Sequence, residues 1–103
     1  MKVIQDIEVL SESDDMLREL TVDKGKVISF VAVSLMVIGG VRHQIARYDC
    51  SHGYVHKDCF YEKTPSKERL PDRSLKELYK MASEVNVTKG KSWRVKYIQR
   101  HLK

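Results

Sequence analysis

The feature that most constrains this chain is Val27–Ile38, VISFVAVSLMVI, a run of β-branched and other apolar residues interrupted only by Ser29 and Ser34 and closed by Gly39-Gly40. It falls well short of the ~20 apolar residues a membrane helix needs. It reads instead as one long strand, and the paired glycines at its end are a two-residue hairpin signal. A second strand, VRHQIARYD, follows directly. On the other side, Leu20 and Val22 lead into the turn Asp23-Lys24-Gly25-Lys26, and after Cys50-Ser51-His52-Gly53 the segment YVHKDCFYE can return alongside. Residues 17–62 therefore predict an antiparallel meander.

Beyond the meander the period changes. Residues 74–86 place Leu75, Leu78, Ala82 and Val85 on one helical stripe, and Ser74 with Glu77 matches a capping box. The C-terminal SWRVKYIQRHLK offers Val95, Ile98 and Leu102 at helical spacing behind Ser92, although Trp93, Val95 and Tyr97 alternate as in a strand; helix is preferred. Both prolines fall in KTPSKERLPDRS, which reads as a linker, and residues 2–10 fit helix and strand equally. With 103 residues, 42% of them hydrophobic, one domain spanning 1–103 is expected; a chain of this size removes roughly 65% of its unfolded surface from water. The expected class is α+β: a four- to five-stranded antiparallel meander with one or two C-terminal helices packed on one face.

Lys and Arg number 19 against 14 Asp and Glu, a mild excess of +5 that permits nucleic acid or acidic partners without requiring them. The excess is uneven. Residues 1–25 hold seven acids and three bases, and residues 73–103 nine bases and two acids, so the ends could pair with each other or the basic end could serve a partner. The opening MKVIQDIEVLSESDD lacks a signal-peptide pattern, which makes a cytoplasmic protein with free thiols the expectation. No membrane association is expected.

A Gly39-Gly40 turn sets Ile38 opposite Val41, and an unbroken ladder then puts Arg47 opposite Ala32 and Asp49 opposite Phe30. Val27, Val31, Val33, Leu35 and Val37 form the more aliphatic face, expected to carry the core. An even-length loop to the next strand brings His56 and Asp58 onto the face of Arg47 and Asp49. The tighter loop pairs Asp49 with His56 and Arg47 with Asp58; a longer one pairs Arg47 with His56.

Three chemistries follow. Arg47, Asp49, His52, His56 and Asp58 are a candidate catalytic set: an imidazole to move protons, a carboxylate to orient it, and a guanidinium to hold phosphate. The competing reading is a cross-strand ion pair on a solvated face. Cys50, His52, His56 and Cys59 have the ligand types for zinc, but alternation sends Cys59 away from His56, so no cofactor is expected. Lys89, Lys91, Arg94, Lys96 and Arg100, interleaved with Trp93 and Tyr97, are candidate nucleic-acid contacts, against a plain helix with its aromatics packed on the sheet.

The string Arg47-Tyr48-Asp49, then His52 and His56, then a Pro/Ser-containing linker and the helix SLKELYKMASEV, resembles the TumE-type toxin family over residues 26–86. The resemblance implies a toxin restrained by an antitoxin partner, with the Arg-x-Asp and histidine positions as its functional core. Two functions are thus in view: a small RNA-acting, ribonuclease-like protein, or a non-catalytic interaction module that binds a protein partner or itself through an exposed strand.

Overall fold

A computed structural model of the chain describes residues 1–50, 54–64, 66–71 and 73–102. Its strands are β1 (Lys2–Val9), β2 (Asp14–Asp23), β3 (Lys26–Ile38), β4 (Val41–Asp49), β5 (His56–Cys59) and β6 (Ser66–Arg69), followed by one helix, α1 (Leu75–His101). The strands form a single antiparallel sheet in chain order, an α+β meander with α1 laid over β3 and β4. Among the described residues the sheet has six strands rather than four or five. The additions are β1, where the sequence left helix and strand open, and β6, which lies inside the supposed linker. Every residue of both is exposed, so neither carries the one-sided alternation that marks a half-buried strand.

Both predicted hairpins form. Lys24 and Gly25, at φ 53° and 74°, and Gly39 and Gly40, at 57° and 79°, occupy the positive-φ positions that a tight turn matched to strand twist requires. The ladder between β3 and β4 begins as expected, with Ile38 opposite Val41 and Leu35 opposite Gln44, but the register then shifts by one so that Ser34 faces Ala46. Arg47 therefore lies opposite Val33 rather than Ala32, and Asp49 opposite Val31 rather than Phe30. Period-two alternation turns this single extra residue into an exchange of faces. The helix consequently covers Phe30, Ala32 and Met36, and the aliphatic face expected to be the core carries the polar cluster instead.

Of the one or two C-terminal helices expected, the described residues form one, of 27 residues. Ser74 caps it as predicted, its hydroxyl accepting from the Glu77 amide at 3.2 Å. Its buried positions are Leu78, Ala82, Asn86, Gly90 and Trp93, so the stripe passes straight through Gly90. Gly90 faces Ser34 of β3; burial of Trp93 beyond it offsets the ~1 kcal/mol that an interior glycine costs a helix. At the far end Arg100 pairs with Glu62 at 2.6 Å, and the His101 ring bonds the Glu62 carbonyl oxygen at 2.7 Å. Arg94 forms an ion pair with Asp14 and donates to Ser13 Oγ at 3.2 Å, joining the basic C-terminal segment to the acidic N-terminal one. Among the described residues no helix is long and apolar enough to cross a membrane.

Candidate functional site

On the face away from α1, the ladders align two rows across the sheet. One runs Ile7, Leu17, Val33, Arg47, Asp58, Lys67; the next runs Gln5, Glu19, Val31, Asp49, His56, Arg69. The first row passes from apolar residues on β1–β3 to ionisable ones on β4–β6, and the second carries a single apolar residue, Val31, between Glu19 and Asp49. Of the two pairings the sequence allowed, the structure has the first: Arg47 opposite Asp58 and Asp49 opposite His56.

The side chains meet there. His56 Nε2 lies 3.0 Å from Asp49 Oδ1 and 3.8 Å from Asp58 Oδ2. An ionised carboxylate only accepts, so at 3.0 Å the imidazole carries a proton on Nε2 and donates it to Asp49. Arg47 Nε donates to the other Asp49 oxygen at 3.0 Å, and Lys67 Nζ approaches Asp58 Oδ1 at 3.8 Å. Asp49 is thus held from both sides, by the ring and by the guanidinium. The side chain of His56 is 3% exposed and those of Asp49 and Asp58 14% and 19%, whereas Arg47 is 36% exposed. The imidazole is therefore the floor of the cluster, and Arg47 with Asp58 forms its solvent side. Asp49, His56 and Asp58 also offer one ligand atom each, all within 4.8 Å of one another. An imidazole with two carboxylates is a donor set that a divalent ion of the manganese or zinc kind accepts.

Beside the cluster, the Tyr54 ring stands edge-on to His56 with centroids 5.8 Å apart, and the Arg69 guanidinium lies 4.6 Å over Tyr54. A cavity of about 260 Å³ opens next to them, lined by Tyr54, Arg69, Pro71, Arg73 and Leu75 among others. The sequence does not single out Lys67 and Arg69 because they sit in a proline-flanked run that reads as a linker. The available signal was their spacing of two within Ser66–Arg69, which puts both on one face of a short strand.

The other candidates lie elsewhere. His52 falls outside the described residues. Cys50 is engaged at β3, with its Sγ 3.1 Å from the Phe30 amide nitrogen, while Cys59 is buried on the helix side, opposite in facing to His56. The thiols proposed for zinc therefore do not join His56. Of the basic and aromatic C-terminal set, Trp93 is buried and stacked on Tyr61, with centroids 5.2 Å apart and planes 5° from parallel. Tyr97 meets His43 at 3.4 Å, Lys96 sits 5.6 Å over the Tyr61 ring, and Arg94 and Arg100 are in the ion pairs described above. Lys89 and Lys91 are exposed on the helix. The aromatics of this segment serve the core, as the plain-helix reading anticipated.

Under the helix lies a group no motif announced. Lys57 is buried with its Nζ 3.9 Å from the Trp93 ring centroid and 5.1 Å from that of Tyr61, whose hydroxyl it reaches at 2.9 Å. Burial lowers its pKa below the ordinary lysine value. Burial likewise pushes Tyr48 up to about 12, and Tyr61 is raised from the same cause.

The model of a family described as a domain of unknown function matches residues 1–103 of the chain. No curated protein and no solved structure matches it.

Proposed function

We propose that this chain, which belongs to the domain-of-unknown-function family DUF7718, acts on RNA through the cluster of Arg47, Asp49, His56 and Asp58. The observation that supports this reading is the convergence itself: His56 Nε2 at 3.0 Å from Asp49, and Arg47 at 3.0 Å from the same carboxylate, on a face that α1 leaves open. In this reading Arg47 takes the phosphate, joined by Lys67 and Arg69, and the Asp49–His56 pair moves the proton through the more exposed Asp58. The ribose 2′-hydroxyl gives up its proton to the cluster and attacks phosphorus; the 5′-oxygen leaves and is protonated. The products are a 2′,3′-cyclic phosphate end and a 5′-hydroxyl end. The toxin resemblance belongs to the same proposal, with an antitoxin-like protein as the partner that would cover this face.

The test is cleavage of end-labelled RNA, with and without added divalent cation. Wild type should cut, and Arg47→Ala and His56→Ala should each lose about a hundredfold in rate, the lower end of what acid–base groups contribute. Lys80→Ala, on the exposed side of α1, should cut at the wild-type rate. Cleavage that survives both cluster substitutions would remove the site from the proposal. A need for added cation would assign Asp49, His56 and Asp58 to metal binding.

A further inference from the structure

The sheet has two edges, and they are built differently. β6 is four residues, Ser-Lys-Glu-Arg, short and charged in the manner of a guarded edge. β1 is eight residues long and, among the described residues, bonded only to β2. It presents Val3, Ile7 and Val9 on one face and Ile4 on the other, all between 45% and 70% exposed. An edge of this length with apolar side chains on both faces is a template for a further strand.

We infer that β1 pairs antiparallel with β1 of a second copy, giving a two-fold dimer with one continuous sheet. The sequence of β1 selects the register. A two-fold axis relating antiparallel neighbours stands perpendicular to the sheet, so directly opposite residues point to the same face, and odd positions meet odd, even meet even. With Gln5 on the axis, Val3 lies opposite Ile7 twice on the open face, and Lys2 lies opposite Glu8 twice on the helix side. Moving the axis to Asp6 sets that carboxylate against its own copy, and moving it to Ile7 sets Asp6 against Glu8. Moving it to Ile4 keeps Lys2 beside an acid but shortens the pairing. The Gln5-centred register combines apolar pairs, opposite charges and nearly the full strand. Asp6, then opposite Ile4, keeps its ion pair with Arg18 of its own chain, with Nη2 at 2.6 Å, and no second carboxylate is set against it. The dimer also joins the two open faces on one side, and it stands independently of the RNA reading.

Light scattering during size-exclusion chromatography tests it, alongside circular dichroism to confirm folding. Wild type should have about twice the chain mass of 12.0 kDa. Val3→Lys/Ile7→Lys should weaken the dimer about tenfold or more by setting like charges opposite one another. Lys2→Glu alone should weaken it, and Lys2→Glu/Glu8→Lys should restore it. Gln5→Cys should give a covalent dimer on oxidation beyond any formed by wild type. A monomeric wild type, a dimer indifferent to Val3→Lys/Ile7→Lys, or a charge exchange that fails to restore pairing would overturn the inference.

Discussion

Trp93→Ala is expected to destabilise the protein by about 3–5 kcal/mol, the usual range for deleting a buried large aromatic. Trp93 is 6% exposed, stacks face to face on Tyr61 and receives the Lys57 ammonium at 3.9 Å from its centroid. Truncation opens a cavity between α1 and β5 and also removes one of the partners of a buried ammonium, which keeps its hydrogen bond to the Tyr61 hydroxyl. Domains of this size hold only about 5–15 kcal/mol in total. The midpoint of urea unfolding should therefore fall steeply with little change in slope, whereas Val95→Ala, 46% exposed two positions on, should stay within about 0.5 kcal/mol of wild type. The outcome also separates two roles for the C-terminal helix. A tryptophan displayed for base stacking would leave stability unchanged on removal; one that closes the core would not.

The second large effect is alkaline unfolding. Tyr48 is 5% exposed, and burial raises its pKa from the ordinary 10.0 to about 12. A folded-state pKa above the unfolded one contributes stability that is complete below pH 10.0 and is lost as pH rises through about 12. At 1.36 kcal/mol per unit, this group alone gives up about 3 kcal/mol across that window. Tyr61, raised in the same direction, adds to the loss. Lys57 acts oppositely: its lowered pKa means the unfolded state binds more protons just below the lysine value, so stability rises with pH there until the tyrosines begin to ionise. Denaturant midpoints measured from pH 8 to 12 should show a steep fall above 10, shallower in Tyr48→Phe. An unchanged slope in that variant would mean that the hydroxyl ionises without cost.

Much of this architecture is legible in the residues themselves. Lys24-Gly25 and Gly39-Gly40 mark the turns, Ser74 marks the helix start, and an even-length connection between Asp49 and His56 brings the cluster onto one face. What escaped has physical causes. The register shift between Ser34 and Leu35 is a backbone event with no side-chain signature, and it interchanged the core and open faces of β4 relative to β3. The fully exposed strands β1 and β6 carry no one-sided pattern. Gly90 looks like a helix breaker until Ser34 is found beneath it. The candidate site was legible because it depends on β4 and β5 alone, whose pairing the shift leaves intact. Lys67 and Arg69 depend on β6 and were hidden with it.

The most direct measurement is a double-substitution cycle on RNA cleavage at Asp49 and His56, which touch at 3.0 Å. If they act as one proton-handling unit, Asp49→Asn and His56→Gln each slow cleavage strongly, and the doubly substituted protein is no slower than the worse single variant. Losses that multiply, or a doubly substituted protein that cuts RNA at the wild-type rate, would contradict the account.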